Sequence, residues 1–155
     1  MMKYRYIYLT LLIYIPQIIF LNPVFADEIQ IISDKLKVDR ILNQSIFTGN
    51  VYAKDENFQI WSDKLIIKSN INGDGIETIQ SFDQVKINYG NMVTLSDEAI
   101  FEPSKRILTL KGNVVAIEEN NEIKCDELIL DIENSTSIMK SDLKNRVQVT
   151  ITTKK

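Results

Sequence analysis

The sequence predicts an all-β fold of many short antiparallel strands, arranged as two copies of a roughly 63-residue unit. Three observations carry this. Short runs rich in Val, Ile and Phe alternate apolar with polar residues between turn-forming clusters. No stretch of eleven or more residues shows a 3.6-residue apolar period. Several phrases also return at fixed spacing.

The clearest recurrence is "ISDKLKVD" (Ile32–Asp39), which returns as "WSDKLIIK" (Trp61–Lys68), "LSDEAIFE" (Leu95–Glu102) and "KCDELILD" (Lys124–Asp131). The pivots Ser33, Ser62, Ser96 and Cys125 lie 29, 34 and 29 residues apart, so the first and third, like the second and fourth, differ by 63. Each phrase is followed by a valine phrase: "TGNV", "FDQV", "KGNV" and "KNRV", with Val51, Val85, Val114 and Val147. The second and fourth copies lack the glycine.

In chain order the candidate strands are Ile29–Ile32, Leu36–Val38, Ile46–Ala53, Phe58–Ser62, Leu65–Lys68, Ile76–Phe82 and Val85–Tyr89. They continue with Val93–Leu95, Ala99–Phe101, Ile107–Lys111, Val114–Glu118, Ile123–Cys125, Leu128–Ile132 and Val147–Thr152. Turn chemistry separates many of them: "KDEN", "NINGDG", "YGN", "EPSK", "EENN" and "ENSTS". At the pivots the alternation changes phase. Ile29 and Ile31 share one parity, whereas Leu36 and Val38 take the other, and Phe58/Ile60 and Leu65/Ile67 repeat the flip. A one-residue flip is the signature of a β-bulge or strand corner. Gly49 and Gly112 fit such structural corners, since a strand glycine marks a bend or a close backbone approach.

The first 26 residues read as a cleaved secretory signal peptide. Lys3 and Arg5 precede an apolar run, and Val24-Phe25-Ala26 forms a cleavage pattern before Asp27. The alternative is a retained anchor, because Tyr6–Ala26 is 21 residues, enough to span a bilayer. Thr10, Pro16, Gln17, Asn22 and Pro23 interrupt that run and favour cleavage. With no cysteine near the site, a lipid-anchored product is not expected. Residues 27–155 then form one domain of 129 residues, and loss of Lys3 and Arg5 takes the net charge from −3 to −5. An acidic domain without basic patches is not expected to bind nucleic acid.

Nothing in the chain assembles a catalytic site. Histidine is absent, which removes Ser-His and Cys-His nucleophile pairs and nearly all zinc sites. There is no phosphate-binding Gly-rich loop of the P-loop type, and no two carboxylates stand out as a glycosidase pair. "NINGDGIETIQS" (Asn70–Ser81) imitates a calcium loop but ends on Ser81 where a bidentate glutamate belongs, so it reads as a hairpin turn. Cys125, the sole cysteine, fills a pivot that serine fills elsewhere and reads as a small packed thiol. Two glycosylation-type tripeptides, Asn43-Gln44-Ser45 and Asn134-Ser135-Thr136, are chance matches in an Asn-rich chain. No cofactor and no metal are expected.

Together, "IQIISDKLKVD…SIFTGNVYAKDENFQIWSDKLIIK" and "LSDEAIFEPSKRILTLKGNVVAIEENNEIKCDELIL" resemble the OstA-like family of periplasmic lipopolysaccharide-transport proteins. With the weaker "KNRVQVTI" end, the resemblance covers nearly all of residues 27–155. It implies an open, V-shaped β-jellyroll that binds the lipid A acyl chains of lipopolysaccharide in a hydrophobic groove. It also implies head-to-tail homo-oligomers that bridge inner-membrane and outer-membrane jellyroll components of the transport machinery. Alternatives are the membrane-anchored jellyroll partner of the same system and an exported structural β-repeat protein with a closed core.

On this reading the groove draws on Ile29, Ile31, Leu36, Val38, Ile60, Leu65, Ile87 and Phe101. The warrant is alternation plus the match to inner-face positions of the family. The net charge of −5 makes acyl burial, and not attraction to phosphates, the main source of affinity. Lys37, Lys54, Lys64 and Arg106 read as solvated strand-edge charges that discourage aggregation; the alternative is contact with phosphates at a rim. The unpaired edges of an open jellyroll are the first and last strands, which places oligomer contacts at Ile29 and Ile31 and at Val147, Val149 and Ile151.

Overall fold

The computed structural model describes residues 29–142 and 145–152, so residues 1–26, read above as a signal peptide, lie outside the described residues. Among the described residues ten strands form one antiparallel sheet. They are β1 (Gln30–Ile32), β2 (Lys35–Asp39), β3 (Gln44–Lys54), β4 (Phe58–Ser69), β5 (Ile76–Tyr89), β6 (Met92–Glu102), β7 (Ile107–Glu118), β8 (Asn121–Asp131), β9 (Thr136–Lys140) and β10 (Gln148–Thr150). Strands β3 to β8 form a meander in which each pairs with the next. The two short strands β1 and β2 share the free side of β3, while β9 and β10 share the free side of β8.

The strands are longer than the sequence alone suggested. Phe58–Ser62 and Leu65–Lys68 lie within one twelve-residue strand, and Ile76–Phe82 and Val85–Tyr89 within one of fourteen. The pivots at Ser62, Ser96 and Cys125 lie inside continuous strands, at register shifts that leave the ladder intact on both sides. At Ser33 the chain does break, between β1 and β2.

A row of bulges therefore crosses the sheet and divides it into two half-sheets. Register shifts fall at Thr48/Val51, Phe82/Val85 and Lys111/Val114. The residues skipped there are left-handed: Gly49 and Asn50 at φ 79° and 46°, Asp83 and Gln84 at 63° and 52°, Gly112 and Asn113 at 75° and 48°. The aspartates after the first three pivots clasp the bulges beside them, and Asp126 holds Asn145 in the segment before β10 in the same way. Asn50 Nδ2 donates to Asp34 at 2.8 Å, Gln84 Nε2 to Asp63 at 3.4 Å, Asn113 Nδ2 to Asp97 at 2.8 Å and Asn145 Nδ2 to Asp126 at 3.2 Å. The pivots themselves and the following valines turn inward: Ser62, Ser96, Cys125, Val51, Val85 and Val114 are all buried. So at the bulges of β3, β5 and β7 the recurring phrases supply a small inward residue, an outward clasp and an inward valine, whereas Ser33 is only partly buried and Val147 is exposed.

Cross-strand partners share a face, so the registers trace which residues look inward. On the second half-sheet one inner row runs Leu36, Phe47, Leu65, Ser81, Ala99, Leu110, Leu128, Met139 from β2 to β9. On the first, the row is Ile31, Ala53, Ile60, Ile87, Thr94, Ala116, Ile123, Val149 from β1 to β10. These rows face each other across the bend. Ile87 and Ala116 of one half pack with Leu108, Leu110 and Leu128 of the other, and the rings of Phe58 and Phe101 meet across it at 5.6 Å.

Candidate functional site: an apolar cavity between the half-sheets

A cavity of about 410 Å³ opens between the two half-sheets at the β1 side. Its first wall comes from Ile29, Ile31, Ala53, Phe58, Ile60 and Ile87, and its second from Leu65, Ile76, Ile79, Phe101 and Leu108. Period-two alternation puts most of these side chains on one face of each strand, a register shift near the start of β5 brings Ile76 in beside Ile79, and the bulge row turns those faces toward each other. Leu65 and Ile87 form the floor and are fully buried. Phe58 stacks on Tyr89 at 4.5 Å and reaches Phe101, so three aromatic rings bound one side of the space.

Six of the eight groove residues inferred from sequence line this cavity: Ile29, Ile31, Ile60, Leu65, Ile87 and Phe101. Leu36 and Val38 do not. They belong to inner rows, opposite Phe47 and Ser45, but β2 is the outermost strand there and leaves them 53% and 58% exposed. Ala53, Phe58, Ile76, Ile79 and Leu108 are lining residues that sequence reasoning missed. Phe58 and Ile79 carried a usable signal, since each shares strand and parity with a named residue or with its register partner.

The proposed edge residues are divided as well. Strand β1 pairs only with β3, and β10 only with β8. Val149 and Ile151 are exposed, whereas Ile31 and Ile29 pack toward the interior. Gly49 and Gly112 both occupy bulge positions with positive φ.

One mouth of the cavity is polar. The β3–β4 turn brings Lys54, Asp55 and Asn57 to it, and the β6–β7 turn brings Pro103 and Arg106. Lys64 and Lys37 are elsewhere, on the outer face: Lys64 lies over the Phe82 ring at 5.5 Å, and Lys37 pairs in register with Ile46. Among the described residues no three His, Cys, Asp or Glu side chains gather as a metal site. The calcium-like loop is a closed turn in which Asn70 donates to Asp74 at 2.6 Å and Gly73 N–H donates to Asn70 O at 3.0 Å. Burial, and secondarily the neighbouring Asp126 carboxylate, pushes the Cys125 thiol pKa up, which disfavours the thiolate that a nucleophile needs.

A sequence model of the family described as LptA/(LptD N-terminal domain) LPS transport protein matches residues 30–136, about two thirds of the chain. Among solved structures, the chain resembles LptH, the LptA-homologous periplasmic component of the lipopolysaccharide transport device of Pseudomonas aeruginosa. The superposition has a TM-score of 0.74 at 11% identity and covers 82% of this chain and 96% of that one, a likeness of fold. No curated protein matches the sequence.

Proposed function

The chain belongs to the LptA/(LptD N-terminal domain) family of lipopolysaccharide transport proteins, and from that premise we propose that it is a periplasmic carrier of lipopolysaccharide. On this reading the cavity between the half-sheets holds lipid A acyl chains, and the protein passes the lipid from the inner toward the outer membrane. The observation that supports it is the cavity itself. An exported structural repeat protein would fill that space with its own side chains. Here two apolar faces stand apart around about 410 Å³.

Acyl burial supplies the affinity. At ~0.8 kcal/mol per CH₂, a chain of about a dozen carbons offers on the order of 10 kcal/mol gross. The volume is at the scale of a drug-sized ligand, roughly 300–1,000 Å³. A lipid with several chains therefore requires the half-sheets to move apart. The protein is a passive, non-enzymatic conduit, and transport is driven from elsewhere. The outer edge formed by β1 and β2 and the outer edge formed by β9 and β10 differ, so pairing between them is head-to-tail and open-ended. Copies of the chain, and jellyroll partners at either membrane, dock there.

Photocrosslinkers test the site. Placed at Ile60 and Phe101 they should capture lipopolysaccharide, while at the outer-face positions Lys64 and Phe82 they should not. Equal labelling of both pairs would remove the cavity from the mechanism.

A further inference from the structure

The polar mouth of the cavity is built from the tips of opposite half-sheets. Lys54 ends β3 on the first, and Arg106 lies in the turn that joins β6 to β7 on the second. Neither makes an ion pair among the described residues. Their acidic neighbours are already engaged. Asp55 Oδ1 accepts the backbone N–H groups of Asn57 and Phe58, both at 2.7 Å, and Glu102 is paired with Lys105. In a chain of net charge −3, a mouth that sets Lys54 and Arg106 against the single carboxylate of Asp55, itself turned onto backbone N–H groups, is a local reversal of sign. Arg presents a fork that matches phosphate oxygens two at a time, and Lys adds a point charge.

We infer that Lys54 and Arg106 form an anion clamp that holds the phosphate of an amphiphile at this mouth, with its acyl chains running inward past Phe58 and Phe101. The inference rests on the carrier reading and adds to it an orientation and a headgroup chemistry. It also explains why the clamp spans both half-sheets: a phosphate bound between them draws the two lips together behind the acyl chains.

The test uses the mature chain and two probes, lipopolysaccharide and the same lipopolysaccharide with its lipid A phosphates removed. Wild type should bind the phosphorylated lipid about tenfold more tightly at low ionic strength, and the preference should shrink as salt is raised. The double variant Lys54→Gln/Arg106→Gln should lose that preference while binding the dephosphorylated lipid as wild type does. Lys64→Gln, on the outer face, should keep the preference. Inorganic phosphate alone should displace neither lipid; displacement by it at millimolar level would make the site one for a free anion and overturn the amphiphile assignment. If wild type and the double variant show the same preference, the clamp is wrong and the carrier reading stands. If wild type binds neither lipid, the carrier reading itself fails.

Discussion

The side-chain amide of Asn113 sits 2.8 Å from the Asp97 carboxylate, and the backbone between them closes only because residue 112 has no side chain. A Cβ at Gly112 would overlap Asp97 Oδ2 and come within 3.0 Å of its Cβ, on a backbone at φ 75°. Gly49 stands in the same relation to Asp34. Where the glycine is missing, at Asp83, the clasp from Gln84 to Asp63 lengthens to 3.4 Å.

Gly112→Ala should therefore destabilise by about 2–3 kcal/mol, combining left-handed strain with the clash. Gly90→Ala is the control, since Gly90 has φ 56° but nothing within 4 Å of a built Cβ. It should cost only about 1 kcal/mol. Urea denaturation of the two variants gives the comparison, and equal losses would show that the clasp does not constrain the bulge.

Thr94 lies in an inner row between Ile87 and Ala116, 2% exposed, and its hydroxyl oxygen has no hydrogen-bond partner. An unpaired buried hydroxyl costs more than the methyl that replaces it. Thr94→Val should raise stability by about 1 kcal/mol. A lower urea midpoint in the variant would mean that the hydroxyl is satisfied in solution.

Cys125 couples stability to alkaline pH. Its thiol pKa is raised in the folded state, chiefly by burial. The folded chain thus holds the proton more tightly than the unfolded one, and the contribution is complete below the unfolded value. It is lost as pH rises through the folded one. Urea midpoints measured from about pH 8 to about pH 10.5 should fall more steeply in wild type than in Cys125→Ser. That variant places at the pivot the residue already found at Ser62 and Ser96, and identical slopes would refute the linkage.

Strand β10 pairs only with β8 and carries the exposed Val149. Deleting Val147 to Lys155 should leave a folded monomer that binds lipid and no longer forms linear oligomers. Sedimentation of the truncated chain as the same ladder of species would move the contact to another edge.

Much of this was legible in the residues. Alternation and turn chemistry marked the strands, and the phase flip from Phe58/Ile60 to Leu65/Ile67 located a bulge. Alternation reports the face a residue occupies, however, and not its place across the sheet. Leu36 and Leu65 have the same chemistry and fall in one inner row, yet one is half exposed on the outermost strand and the other is the cavity floor. Lys54 and Lys64 looked equivalent for a similar reason. Only the pairing of β3 with β4, and the bend between the half-sheets, sends one to the cavity mouth and the other to the outer face. Strand continuity was also hidden, because a bulge and a turn both break a local pattern.

The six long strands β3 to β8 each run through the bulge row from one half-sheet into the other. The halves are thus joined like the covers of a book, by covalent main chain along the whole spine, and the ladder bonds lie within each cover. Widening the gap between the covers would be a change of angle along that spine, where β3, β5 and β7 carry the left-handed pairs. Such a change would strip apolar contacts such as Phe58 on Phe101 and leave the hydrogen-bonded ladders whole, with no strand leaving its neighbour.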